Sequence, residues 1–282
     1  MKISLMTYKH TKELFTDLGV LCNFLDTIKS YGITGVEPMF LEAEDFYLNH
    51  DLLHEVLEEI VRRNMCIPNI DLIVNHLKPG CFEEACEKTR TMINSASVLK
   101  PDLVMTNGSR LPEDMCPEEA RKLVALSIDN AIEAGKKHDL DIAIEAFGIS
   151  YDIMSTSDML EKIFSMVKKF PLYFVGDSAN SCYGGESSVV ALEKFWDRLR
   201  HVHIKDVKKT QEGTGYPAKE DRWLGQAELG TGIAGIKEFT AFLKSRSYNG
   251  WYSLETYWTD SLEVIGEYVN TLKQLLHGCE EC

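Results

Sequence analysis

Long apolar runs, an excess of positive charge and a cysteine framework are all missing from this sequence. No stretch approaches the roughly 20 consecutive apolar residues of a membrane-spanning helix. The opening MKISLMTY is too short for a secretory leader and reads instead as a first β-strand. Lys and Arg number 30 against 44 Asp and Glu, a formal net charge of -14. Nucleic acids and anionic membranes are bound through clustered cations, so neither is an expected partner. Eight cysteines in 282 residues are too sparse for a disulfide scaffold, and Cys22, Cys66 and Cys86 lie in segments that read as helical. Reduced thiols and a cytoplasmic protein are expected. The terminal CEEC (279–282) has CxxC spacing without a second pair and reads as a tail. A glycine-rich strand-to-helix turn is absent too: GTGYP (213–217) sits in a loop and LGTGIAG (229–235) follows no expected strand. An open, dinucleotide-binding sheet is therefore disfavoured.

What is present is a regular alternation. Short β-type runs at 2–8, 35–40, 67–75, 101–108, 141–148, 172–180, 200–207 and 251–258 are each followed by an amphipathic stretch, with no linker-like break. Strands alternating with helices imply parallel pairing through right-handed crossovers. Eight such units in a chain of this length predict an α/β fold, a closed (β/α)8 TIM barrel spanning residues 1–278 as a single domain. The connection from Lys208 to about Gly232 is far longer than the others and reads as a polar loop at the functional end.

Alternate residues of a strand share a face, so RHVHIKDV (200–207) points His201, His203 and Lys205 one way and Val202 and Ile204 the other. In a parallel barrel, inward polar residues near the strands' C-terminal ends line the active-site mouth. DIAIEAFG turns Glu145 inward, LYFVGDSAN ends on Asp177, the next strand offers His203, and WYSLETYW offers Glu255. Four successive strands thus deliver one candidate ligand each. Three carboxylates and an imidazole form a hard, oxygen-rich set suited to one divalent ion, Mn²⁺ foremost, with Mg²⁺, Co²⁺ and Zn²⁺ also compatible. Without a cation, three buried carboxylates would each cost on the order of several kcal/mol.

The stretches IEAFG, GDSAN, HVHIKD, LGTGIAGIKEF and SLETYW, in that order and at strand ends, resemble the xylose isomerase-like barrel superfamily of sugar phosphate isomerases and epimerases over essentially the whole chain. In motif the chain is most similar to ketose 3-epimerases and inosose dehydratases. The resemblance implies that Glu145, Asp177, His203 and Glu255 bind one metal ion and that Glu145 and Glu255 serve as acid and base. A divalent ion chelating a carbonyl and a neighbouring hydroxyl acidifies the adjacent C–H and stabilises an enediolate. One carboxylate removes the proton and a second returns it on the other face. An isomerase or epimerase of a sugar, sugar phosphate or polyol-ketone is therefore expected. A dehydratase or β-eliminating lyase shares the same first step.

Glu37, Asn75 and Asn107, at the ends of the second, third and fourth strands, are expected to bind substrate hydroxyls, as is Asn180, which stands where many relatives carry a His. His201 and Lys205 are expected to contact substrate oxygens or to support the ligands, Lys205 alternatively as an ion pair to a carboxylate. Asp206 is expected to anchor the following loop. Arg222 and Trp223 are candidates for closing over the substrate, and Tyr8, Phe40, Phe147, Tyr257 and Trp258 for apolar sugar-stacking faces. An apurinic-site endonuclease would need His ligands where this chain has Asn107, Asn180 and Trp223, and a non-enzymatic sugar-binding barrel would be signalled by a lost ligand. A homodimer or homotetramer is expected by analogy alone.

Overall fold

The computed structural model describes residues 1–106, 109–148, 152–256 and 262–277. Its strands begin with β1 (Lys2–Met6), β2 (Gly35–Glu37), β3 (Met39–Leu41), β4 (Ile70–Ile73), β5 (Val104–Thr106) and β6 (Ile142–Glu145). They continue with β7 (Tyr173–Asp177), β8 (Leu199–Ile204), β9 (Asp206–Lys209), β10 (Tyr216–Ala218), β11 (Arg222–Ala227) and β12 (Trp251–Leu254). Nine of them form one parallel sheet in the order β2-β1-β12-β8-β7-β6-β5-β4-β3. β2 and β3 are two halves of a single stave, separated by Pro38, which has no N–H to give a ladder. The lower half pairs with β1 and the upper with β4, so the ring closes through the broken stave into a nearly closed TIM barrel of one domain. The Pro38 carbonyl still accepts from Asp71 N at 3.0 Å.

The helices are α1 (Thr11–Thr16), α2 (Leu18–Ser30), α3 (His50–Arg62), α4 (Phe82–Val98), α5 (Pro117–Lys136), α6 (Ser157–Met166), α7 (Asn180–Tyr183), α8 (Ser188–Lys194), α9 (Ile236–Ser245) and α10 (Glu263–His277). Their starts carry the expected chemistry: the Asp17 carboxylate accepts from Gly19 N and Val20 N, Asn49 caps α3, and Pro117 opens α5. Apolar stripes such as Leu53, Val56 and Ile60 of α3 pack on the outward strand residues, among them Val36, Phe40, Leu72, Ile144, Val202 and Leu254. The inward face differs around the ring. Leu103, Met105, Ala143 and Val175 form a small apolar cluster, whereas Ser4, Asn69, Asp71, His201 and Ser253 are buried polar residues.

The segment expected as a polar loop folds further. β9, β10 and β11 make an antiparallel sheet, order β10-β11-β9. These strands are short and polar, so their alternation carries little hydrophobic signal. Gly215, at φ 85°, sets the turn into β10, and a Cβ there would strike the Leu224 carbonyl. Asp206 anchors the chain on both sides of this sheet, its carboxylate accepting from Val207 N, Gly230 N, Gly232 N and Ala234 N at 2.8 to 3.1 Å. One further reading is refined: Cys66, expected in a helix, lies beyond α3 and forms a β-bridge with Gly35. Cys22, Cys66, Cys81, Cys86, Cys116 and Cys182 are free thiols among the described residues, and the CEEC tail lies outside them. Among the described residues no helix is long and apolar enough to cross a membrane.

His76, 2 % exposed, ties the end of β4 to its surroundings: its N–H donates to Ser109 Oγ at 2.9 Å and its Nε2 lies 2.8 Å from Thr89 Oγ1. Burial pushes the imidazole down from 6.5 to about 4, against a bond to the Val74 carbonyl that acts the other way. The unfolded chain binds that proton first, so the contribution of His76 is complete above its unfolded value and is lost as pH falls toward the folded one. Urea denaturation checks this: from pH 7 to pH 4 the wild type should lose about 3 kcal/mol more unfolding free energy than His76→Leu.

Candidate active site

Strand direction decides where the polar side chains meet. Glu145 and Asp177 are the last residues of β6 and β7, His203 is next to last in β8, and Glu255 directly follows β12. All four are at most 8 % exposed, and one ligand atom from each lies within 4.8 Å of the others. The in-register pairs Asp177↔His203 and Ser253↔His203 put three neighbouring staves at one height. His203 Nδ1 sits 3.1 Å from Glu145 Oε2 and 3.3 Å from Glu255 Oε2.

Behind this group lies a supporting layer. Glu37, fully buried, stands 2.7 Å from His203 Nε2 and 2.9 Å from His201 Nε2, and accepts from Asn69 Nδ2 at 2.6 Å. Asn69 also donates to Asp71 Oδ1 at 2.7 Å. Glu37 thus fixes His203 Nε2 as the donor and leaves Nδ1 toward the other carboxylates, the arrangement in which a carboxylate orients an imidazole ligand. Lys205 Nζ lies 2.6 Å from Glu255 Oε1 and 3.1 Å from Asp177 Oδ2. Tyr8, held at φ 46°, donates its hydroxyl to the same Glu255 oxygen at 2.8 Å.

The charges are strongly perturbed. Burial raises the Asp177 carboxyl to about 8, with Lys205 pulling it down and Glu255 and Glu145 pushing it up. Burial also raises Glu145, against His203. For Glu255 burial is outweighed by Lys205 and His203, which hold it well below the usual carboxylate range. Glu37 is likewise lowered, burial being overcome by His201 and His203. Burial would lower His203 and Lys205, but Glu37 and the site carboxylates raise the first, and Asp177 and Glu255 the second.

This donor set fits a divalent cation. Asp177 Oδ1 is taken by Ala179 N and Asn180 N, at 2.8 and 2.5 Å. Asp177 Oδ2 and Glu255 Oε2, both buried, accept no hydrogen bond among the described residues, although Lys205 Nζ stands 3.1 Å from the first and His203 Nδ1 3.3 Å from the second. Oxygen lone pairs left over in a dry, acidic cluster are what a hard cation satisfies, and the cluster could hold one.

The cluster opens into a cavity of about 600 Å³. Lys205 and Asn180 line it, Lys205 paired with Glu255 and Asp177, and Asn180 with its Nδ2 buried and without a hydrogen-bond partner. Glu37 and His201 do not: Glu37 is buried against the two imidazoles, so the substrate contact expected of it gives way to a supporting one, and His201 borders a separate cavity at the other end of the barrel. Asn75 is exposed in an adjoining depression, its Oδ1 accepting from Leu77 N. Arg222 is drawn off by the Lys219 carbonyl, at 2.9 Å from its Nε, and neither it nor Trp223 lines the cavity. Phe40 is core, stacked on Tyr47. Tyr8 and Phe147 do line the cavity. Asn107, Tyr257 and Trp258 lie outside the described residues.

Several contributors escaped the sequence reading. Asn69 and Asp71 alternate in IPNIDLIVN, on the inward face, a signal that was available. Thr210, Thr214, Tyr216 and Gln226 enter from the antiparallel sheet, which nothing in the pattern announced.

Known proteins share this architecture. An inosose dehydratase of Clostridium beijerinckii is 26% identical over 107 residues, covering 36% of this chain and 36% of the dehydratase, so the match spans about a third of that protein's length. A probable 3-DHS dehydratase involved in petrobactin synthesis, from Bacillus anthracis, superposes with a TM-score of 0.75 at 18% identity, over 97% of this chain and 99% of its own. A 3-keto-D-glucoside 4-epimerase of E. coli, in its apo form, superposes with a TM-score of 0.71 at 16% identity, over 98% of both chains. At such identities the superpositions speak to the fold. The sequence itself matches the xylose isomerase-like TIM barrel family over residues 25–275, nearly the whole barrel, and the chain belongs to that family.

Proposed function

We propose that this protein is a divalent-metal-dependent enzyme that removes a proton from carbon next to the carbonyl of a sugar-like, polyhydroxylated substrate. The observation that carries the reading is the convergence of Glu145, Asp177, His203 and Glu255 at the strand ends, with two of their carboxylate oxygens accepting no hydrogen bond among the described residues. These four would hold the cation, for which Mn²⁺ is the first choice by donor chemistry. When bound, it would draw in the substrate's carbonyl and hydroxyl oxygens and offset the negative charge that develops there.

The chain's own residues supply the proton chemistry. Glu255, held ionised beside Lys205, is a base at the cavity floor, and Glu145 comes from a non-adjacent stave. Lys205 Nζ and Tyr8 Oη converge on one oxygen of Glu255 and so present O–H and N–H donors where a hydroxyl can depart. In the favoured outcome, the C–H pair forms a C=C bond, the neighbouring C–O bond breaks, and the oxygen leaves as water after taking a proton from this donor group. Dehydratases among the relatives and structural neighbours support that outcome. Epimerisation is the second reading, favoured by the two glutamates: one removes the proton and the other returns it on the opposite face.

Two outcomes check this reading. At a free Mn²⁺ concentration one hundred times its Kd, the protein should gain about 2.7 kcal/mol, a Tm rise of about 5 °C, reversed by chelator and absent in Asp177→Asn. In deuterated water, a panel of free and phosphorylated ketoses and inososes should include one compound that exchanges at a single carbon beside its carbonyl. Glu145→Gln and Glu255→Gln should each slow its turnover by about 10²–10⁴-fold, and mass and stereochemistry of the product distinguish loss of water from inversion.

A further inference from the structure

The cavity above the cluster has two chemically different halves. Staves β6, β7, β8 and β12 deliver most of the charged groups, whereas the opposite wall, from β1 to β5 with Phe147 two residues beyond β6, is built among the described residues by Met6, Met39, Leu41, Ile73, Met105 and Phe147, with one carboxylate among them, the buried Asp71 of β4. Met6 and Met105 are buried and form the floor of that half; Met39, Leu41, Ile73 and Phe147 are half-buried and form its side. Apart from Asp71, whose Oδ1 is taken by the Asn69 amide, these side chains carry no charge and no hydroxyl or amide. Thioethers and hydrocarbon offer a hydroxyl no donor and at best a weak acceptor. They suit a flat or irregular apolar group, to which unbranched methionines adapt. At about 600 Å³ the cavity falls in the range that takes a ligand of drug size.

We propose that the substrate is a polyhydroxylated ketone bearing an aromatic or hydrocarbon substituent, with the ketone at the acidic cluster and the substituent against Met39, Leu41, Ile73 and Phe147. This deepens the reading of the cluster as the site of a carbonyl substrate and rests on it. The polar edge contributed by Thr210, Thr214 and Gln226 lies on the far side, so the two halves fix the direction in which such a molecule enters.

Three probes test it on the full-length protein loaded with Mn²⁺: methyl 3-keto-β-D-glucoside, its phenyl counterpart, and the environment-sensitive naphthalene dye prodan. Calorimetry should find the phenyl compound bound about tenfold more tightly or better, the scale of burying one phenyl ring. Prodan should bind, be displaced by the phenyl compound, and bind more weakly to Leu41→Gln and to Met39→Gln. These are separate substitutions at half-buried positions, so one remains informative if the other misfolds. In either variant the ratio of the two glycoside Kd values should fall toward one. Equal binding of the two glycosides, a ratio unchanged in both variants, or no prodan binding overturns the proposal. Prodan binding that both variants weaken, with no binding or deuterium exchange of either glycoside, would instead overturn the carbonyl-substrate reading and leave the apolar half as a ligand site.

Discussion

One carboxylate grips two imidazoles at the centre of this barrel. Glu37, from the second stave, stands within hydrogen-bond distance of His203 and His201, two residues apart on the same face of β8. The rest of the site depends on that grip. It fixes which nitrogen of His203 faces the other carboxylates, while strand register brings Asp177 and His203 to one height. A buried carboxylate is tolerable only when its lone pairs are filled, and Glu37 fills them with two ring nitrogens and the Asn69 amide.

The acidic cluster is the opposite case. Its members repel one another; Lys205 lies 2.6 Å from Glu255 Oε1 and 3.1 Å from Asp177 Oδ2, yet among the described residues neither Asp177 Oδ2 nor Glu255 Oε2 accepts a hydrogen bond. A protein interior rarely keeps such oxygens idle. In the layer behind the cluster Glu37 is fully hydrogen-bonded, while Asn69 Oδ1 and Asp71 Oδ2 beside it have no partner among the described residues.

Much of this was legible in the sequence because it follows from period-two alternation. Once the strands are placed, parity alone sends Glu145, His203 and Glu255 inward, and Ile142, Ile144, Val202 and Ile204 to the helices. Parity does not give depth. Glu37 and Glu145 obey the same rule, yet Glu37 is buried against two imidazoles and Glu145 lines the cavity. Nor does parity reach residues outside the barrel strands. The antiparallel sheet of β9 to β11 carries too few apolar residues to announce itself, and the Lys219 carbonyl that holds Arg222 borders that sheet, where strand parity gives no guide. Met39, Leu41 and Ile73 gave no signal of their own, since a cavity wall and a packed core use the same residue types.

The interruption at Pro38 divides the labour of a single stave. Below it, Glu37 is locked into the layer that orients His203; above it, Met39 and Leu41 face the cavity from a segment hydrogen-bonded to a different neighbour. Because the two halves do not share a continuous ladder, substitutions in the upper one need not be transmitted to the lower. Natural selection can therefore rewrite which molecules the barrel accepts, two residues away from a chemical apparatus that it leaves intact.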